Sequence, residues 1–389
     1  MERGIIAEIN LNAVSNNLAV INKLSNERPV IAVVKADAYG HGAVDISRRL
    51  AEDGVDYLAV AFTEEARELR AAGVSSRILV LFDPDMEDIF RYDLIPVVGD
   101  RKTAMAVSKE AERAGRELGL HIKVDTGMGR LGIAGDAVKE ITEIAGLRNI
   151  RIDGIMSHFS EADLADASFA QLQISRFKAM RSALSEKGIN VKLLHIANSA
   201  AVITLPESHF DAVRPGLMLY GYSPLEDSNK VPVTGNGLKD KKDTEDSSLV
   251  TRYSLLLQPA MTVKARIIAL RRLPSGTPVS YGRTFVTKRE SLIGVMTAGY
   301  ADGFDRRFSN NAEVLVKGKR APVAGRVCMD VTMIDVTGIA GVKEGDEAVI
   351  IGSQGVESID APELASRAGT ISYEILLSLG SRAKRLYNS

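Results

Sequence analysis

From residue 28 to about 221, short β-branched runs alternate with longer amphipathic ones, the order in which parallel strands and their covering helices follow each other. The runs Val30 to Val34, Tyr57 to Val60, Ile78 to Phe82, Ile95 to Val98, His121 to Val124, Gly154 to Ser157, Leu193 to Ile196, and Ala212 with Val213 predict eight strands. Between two of them Phe169, Leu172, Phe177, Met180 and Leu184 recur at helical spacing across Ala167 to Lys187, and Gly188 supplies the stop. Val138, Ile141 and Ile144 form a second such stripe over Ala137 to Ala145, ahead of Gly146. Eight alternations predict an α/β chain whose residues 12–223 form a (β/α)8 barrel of the TIM type. An open doubly wound sheet is the alternative that the same alternation allows.

The pattern breaks at residue 224. Residues 224–250 collect Pro224, Pro232, Gly235 and Gly237, then the mixed-charge run Lys239 to Ser248, so a solvated linker and a domain boundary are expected here. Beyond it, residues 251–389 carry short alternating segments: Met261 to Leu270, Glu290 to Met296, Glu313 to Val316, Val331 to Val336 and Glu347 to Ile351. Separated by Pro and Gly turns, they predict a mainly-β C-terminal domain. Residues 1–11 alternate from Ile5 to Leu11, precede the barrel, and are expected to pair with that second domain.

Composition changes this picture little. Charged residues are 25% of the chain, 49 basic against 50 acidic, which gives no reason to expect nucleic acid or an anionic membrane as partner. The N-terminus lacks a secretory pattern, and no apolar stretch approaches the roughly 20 residues of a membrane span. The single cysteine, Cys328, excludes an intramolecular disulfide and a thiolate metal cluster. A cytoplasmic, metal-free protein is expected.

A barrel of this kind carries its chemistry at the C-terminal ends of the strands. The first strand ends on Lys35, where burial disfavours the ammonium form and suits the amine to attack a carbonyl as a Schiff base; a strand-end lysine reaching solvent is the ordinary alternative. Tyr39 and His41 follow it; strand five runs into Asp125 to Arg130, strand six into Ser157 and His158, strand seven into Asn198 and Ser199, strand eight into Arg214 and Gly216. Singly, these read as a helix cap, a surface ion pair and a satisfied core histidine. Together they describe an anion site. Ser199, Gly216 and Tyr39 would hold a phosphate, and the planar fork of Arg130 a carboxylate. With an amine at Lys35, that points to pyridoxal phosphate and an amino-acid substrate.

Nine segments carry a family resemblance in order: Val33-Val-Lys-Ala-Asp-Ala-Tyr-Gly-His-Gly42, Lys123-Val-Asp-Thr-Gly-Met-Gly-Arg-Leu-Gly132, Ser157-His-Phe159, Ala197-Asn-Ser199, Arg214-Pro-Gly216, Val279-Ser-Tyr-Gly282, Gly299-Tyr-Ala-Asp-Gly303, Gly325-Arg-Val-Cys-Met-Asp330 and Ser372-Tyr-Glu374. The chain resembles the alanine racemases. The resemblance implies a homodimer that interconverts L- and D-alanine and supplies D-alanine for bacterial peptidoglycan. Lys35 would form the internal aldimine and serve one face of the substrate, and Tyr281 of the opposite subunit would serve the other. Arg214 would face the pyridine nitrogen and keep it unprotonated, and His158 would link that arginine to the tyrosine. Tyr39, Asn198, Ser199, Gly216 and Tyr373 would hold the cofactor, with Arg130 and the backbone at Met329 on the substrate carboxylate. Lys123 matches a position often carbamylated in the family. Asp163, Tyr300, Arg306, Arg326 and Asp330 match residues of the access corridor.

Two other classes compete. A serine or broad-specificity racemase shares the lysine strand and the phosphate loops, since an apolar pocket rejects one added hydroxyl poorly. A barrel decarboxylase is disfavoured by Tyr281 and by Arg214, and a non-catalytic cofactor carrier by residues 251–389, which bring Tyr281 and Met329.

Overall fold

A computed structural model describes residues 4–82, 84–225 and 256–389, so the charged run 239–248 and most of the segment 224–250 lie outside the described residues. Strand β1 (Ile6–Asn10) opens the chain. Seven strands follow: β2 (Ile31–Val33), β3 (Tyr57–Val60), β4 (Arg77–Val80), β5 (Ile95–Val98), β6 (Leu118–Lys123), β7 (Ile150–Met156) and β8 (Leu193–His195). They lie parallel in chain order, β2 to β8. The ring closes through residues 211–215, with the N–H of Ile31 donating to Val213 O at 2.9 Å and that of Val33 to Pro215 O at 3.0 Å, while Arg214 N–H reaches Ala197 O at 2.8 Å. Pro29 and Pro215, which have no N–H, flank this seam and reduce it to a single bridge, Val30 with Val213. Seven parallel strands are thus curled into the barrel, and where an eighth was expected at Ala212 and Val213 a single bridge stands in its place.

Helices cover the ring between strands, among them Ala137–Ala145 and Ser168–Glu186, both close to their sequence-predicted bounds. Side chains such as Ile31, Leu58, Ile78, Ile122 and Ile155 are fully buried. β-branched and leucine residues on strands packed from both faces place the core inside the barrel and beneath the helices.

The C-terminal part is built from β9 (Met261–Leu273), β10 (Pro278–Val279), β11 (Phe285–Val286), β12 (Ser291–Met296), β13 (Glu313–Val316), β14 (Lys319–Pro322), β15 (Thr332–Asp335), β16 (Glu347–Gln354), β17 (Glu357–Ile359) and β18 (Lys384–Asn388). β1 pairs antiparallel with β9 and parallel with β18, inside a nine-stranded sheet. Two helices in this part, Ala361–Ala368 and Ser372–Gly380, have no counterpart in the sequence reading. The second of them packs on the chain just after Lys35: a Cβ at Gly40 would lie 2.7 Å from Leu376 O. Among the described residues no helix is long and apolar enough to cross a membrane.

Candidate active site

Lys35 leaves β2 into a left-handed turn. Ala36, Asp37, Ala38 and Tyr39 have φ of 51°, 53°, 52° and 55°. Each non-glycine residue in that region costs about 1–2 kcal/mol, so the turn needs support from outside itself. Glu65 accepts from Ala36 N at 2.5 Å and from Ala61 N at 2.6 Å. Asp37 accepts from Ala43 N at 2.7 Å and pairs with Arg385 of β18. The turn carries both the Lys35 amine and the Tyr39 ring to the wall of one cavity of about 170 Å³.

Four basic side chains line that cavity, Lys35, Lys123, Arg130 and Arg214, and among the described residues no carboxylate does. The consequence is electrostatic. Burial, and then the charge of Arg130, lower the Lys35 amine below the usual lysine range. Lys123 is pushed down to about 8 by burial first, then by Arg130, Arg214 and Lys35. Concentrated positive charge behind apolar walls favours an anionic ligand and the neutral amine. The Phe82 ring lies under three of these cations, 4.9 Å from Lys123 Nζ, 5.7 Å from Arg130 Cζ and 5.9 Å from Lys35 Nζ.

At one end of the cavity Ser199 Oγ accepts from the N–H of Gly216 at 2.9 Å and of Met218 at 3.3 Å. Its lone pairs are thereby engaged and its O–H is left to donate. A Cβ at Gly216 would lie 2.5 Å from Tyr39 Oη, so only glycine permits this approach. Tyr39 is buried between Tyr220 and Tyr373, at ring separations of 5.0 and 5.6 Å. Burial raises its phenol well above the usual tyrosine range, which keeps it a proton donor. Asn198 caps the helix Ser199–Thr204, accepting from Ala201 N at 3.0 Å, and also lines the cavity.

Arg214 is buried in a cage of acceptors. Nη1 donates to His195 O and His195 Nδ1, both at 2.8 Å; Nη2 donates to Ser157 O at 2.6 Å, and to His158 Nδ1 and Ile196 O at 3.3 Å. No acceptor among the described residues takes the Nε–H, and the side chain lines the cavity. Burial pushes the guanidinium down to about 9, so it remains a cation and an obligate donor at neutral pH. His158 and His195 are held far below the usual imidazole range by burial, then by Arg214.

Tyr281 and Met329 are elsewhere. They are 70% and 53% exposed and do not line the cavity of their own chain. They form a second cluster on the C-terminal sheet, in which Ser280 Oγ donates to Arg326 O at 2.6 Å, and the N–H groups of Tyr300 and Ala301 reach Cys328 O and Met329 O at 3.0 and 2.9 Å. Tyr300 and Arg306 line an open groove, Asp330 is exposed and Asp163 is half-buried. The structure therefore gathers the barrel candidates other than Asp163, with Tyr373, into one site; Tyr281, Tyr300, Arg326 and Met329 lie on the C-terminal part, with Arg306 in the groove beside Tyr300.

Three residues escaped the sequence reading. Phe82 stood as the last apolar residue of a strand, yet its place just beyond the C-terminal end of that strand was the usable signal. His121 and His195 sit within apolar strand runs, where an unpaired polar residue marks an inward-facing network.

Comparison with known proteins follows from this geometry. The family model described as "Alanine racemase, N-terminal domain" matches residues 9–224, and "Alanine racemase, C-terminal domain" matches 260–387. An alanine racemase of Thermodesulfovibrio yellowstonii is 49% identical, the match covering 100% of this chain and 98% of that protein. One from Carboxydothermus hydrogenoformans is 41% identical over 99% of this chain and 100% of its own length. The crystal structure of alanine racemase from D-cycloserine-producing Streptomyces lavendulae superposes with a TM-score of 0.88 at 34% identity, covering 100% of this chain and 98% of that one. The enzyme from Streptomyces coelicolor A3(2) gives 0.87 at 33%, covering 99% and 98%.

Proposed function

The chain belongs to the alanine racemase family, and from that premise we propose that it binds pyridoxal phosphate in the Lys35 cavity and interconverts L- and D-alanine by exchanging the α-proton between two faces. The observation that carries this reading is the cavity at the C-terminal rim of the barrel, with four basic side chains and, among the described residues, no carboxylate on its wall.

The residues fit the cofactor. The Ser199 O–H, the Tyr39 phenol and the surface left open at Gly216 suit a phosphate, and Tyr373 closes that end. The free Nε–H of Arg214 suits a ring nitrogen that stays unprotonated, since a guanidinium gives a hydrogen bond and takes none. Pyridoxal phosphate, when bound, supplies an electron sink that acidifies the Cα–H of the amino acid.

The chain's own groups do the rest. Arg130 binds the substrate carboxylate with its planar fork, and the backbone at Met329 of the partner subunit completes that contact. Lys35 Nζ, its amine lowered below the usual lysine range by burial and by Arg130, takes or returns the proton on one face. Tyr281 Oη of the partner subunit does so on the other. Because Tyr281 and Met329 do not line the cavity of their own chain, a head-to-tail homodimer completes each site. His158 accepts from Arg214 at Nδ1, which leaves its Nε2–H to donate to that tyrosine. In this reading residues 12–223 hold the cofactor, residues 251–389 with 1–11 carry the tyrosine, and residues 224–250 join them. Asp163, Tyr300, Arg306, Arg326 and Asp330 flank the access path. The enzyme works in the cytoplasm and its product enters cell-wall peptidoglycan.

The test is a visible absorbance spectrum of the purified protein together with D-alanine formation from L-alanine, for the wild type and Lys35→Ala. A yellow wild type that racemises, and a colourless, inactive variant, are expected. A colourless wild type, or carbon dioxide and an amine as products, would overturn the reading.

A further inference from the structure

We infer that His121 is a positioning residue for Arg214, acting through His195 across the interior of the barrel. The inference rests on the function proposed above for Arg214. His121 lies on β6 and His195 on β8, with β7 between them. The two rings meet over that intervening strand, His121 Nδ1 to His195 Nε2 at 2.9 Å. They can do so because β7 presents a glycine there: Gly154 is in register with His121, and a Cβ on it would lie 2.5 Å from the His121 ring. Both histidines and Arg214 are buried. Neither histidine lines the cofactor cavity, so no ligand contact accounts for them.

Proton counting fixes the direction of the chain. A guanidinium only donates, so His195 Nδ1, 2.8 Å from Arg214 Nη1, must be bare. Burial keeps both imidazoles neutral, with His121 held at about 4 and His195 far below the usual range. A neutral His195 with a bare Nδ1 carries its proton on Nε2, and that N–H donates to His121 Nδ1. His121 then holds its own proton on Nε2. Moving the His195 proton to Nδ1 would set two donors against each other beside Arg214. Arg214 tolerates only the His195 tautomer with a bare Nδ1, and the acceptor at His121 stabilises it from the far side, holding the ring against which Arg214 Nη1 rests.

His121→Leu removes the acceptor and keeps apolar bulk; His121→Asn returns an acceptor near the position of Nδ1. Two measurements on the holoenzymes separate positioning from packing: the kcat and KM for alanine, and the His195 tautomer by nitrogen-15 NMR of histidine-labelled protein. The expected result is a wild-type His195 with bare Nδ1. In His121→Leu, kcat falls on the order of tenfold at unchanged KM and the tautomers mix; in His121→Asn both return to near wild type. Wild-type kcat and tautomer in His121→Leu would overturn the inference, as would an Asn variant no better than Leu. Gly154→Ala, whose added methyl meets the His121 ring first, should reproduce the Leu phenotype, and wild-type kcat there would count against it. A wild type that fails to racemise alanine would sink the proposed function, while the tautomer comparison would still decide the role of His121.

Discussion

Ser199→Ala separates two functions that one hydroxyl combines. Its oxygen accepts from the buried N–H of Gly216 at 2.9 Å and from that of Met218 at 3.3 Å, so the variant leaves two donors without partners. A buried donor left unsatisfied costs about 1–3 kcal/mol. The longer contact contributes less, and in the cofactor-free protein water in the adjoining cavity can replace part of the lost acceptor. The expected loss is therefore about 1–3 kcal/mol in the protein stripped of cofactor, where ligand binding contributes nothing. For domains of this size each kcal/mol lowers Tm by roughly 2–4 °C, which predicts a fall of about 2–12 °C. A separate loss of about 10- to 100-fold in cofactor affinity follows from deleting a donor to a charged phosphate. Thermal unfolding with and without pyridoxal phosphate, and a fluorescence titration of the cofactor, read the two effects independently. Ser199→Thr keeps the oxygen and should recover most of both. An unchanged Tm in the cofactor-free variant would refute the reasoning, because the hydroxyl would then serve the ligand alone.

Two further outcomes are expected. Phe82→Leu withdraws the ring face shared by Lys35, Lys123 and Arg130, each contact contributing about 0.5–1 kcal/mol; the loosened Arg130 should raise KM for alanine about threefold, with recovery in Phe82→Tyr, and an unchanged KM would remove the ring from the account. Urea unfolding should give a stability that changes little between about pH 7 and 8 and declines toward pH 4. His41 and His121 are held neutral by burial at about 4 when folded but titrate near 6.5 when unfolded, so acid protonates the unfolded chain first, an effect of a few kcal/mol per histidine. Constant stability across that window would contradict the assignment of these two rings as buried and neutral.

The barrel was legible because its strands are covered on both faces and so read as β-branched runs between amphipathic helices. The exception is the seam at residues 211–215, where prolines leave two recognisable strand residues, Ala212 and Val213. The left-handed turn after Lys35 was not legible, since Ala-Asp-Ala-Tyr has no local reason to adopt it; Glu65 and Arg385, 30 and 350 positions away when counted from Lys35 (65 − 35 and 385 − 35), impose it from outside. The polar groups at the strand ends could be read from the pattern, because their position on the rim follows from the period of the barrel. For Phe82, His121 and His195 the pattern gives the place, past a strand end or inside an apolar run, but no sign of which neighbour each will meet across the ring.

The central claim is that each site joins Lys35 of one subunit to Tyr281 of the partner subunit across the α-carbon. Mixing and reassociating purified Lys35→Ala and Tyr281→Phe proteins tests it directly. Alone, each variant should racemise alanine at a small fraction of the wild-type rate. Random exchange makes half of the dimers mixed, and each mixed dimer holds one site with both groups intact, so activity should rise toward about a quarter of wild type. A mixture that stays inactive after proven subunit exchange, or a Tyr281→Phe protein that alone retains full activity in both directions, would contradict the account.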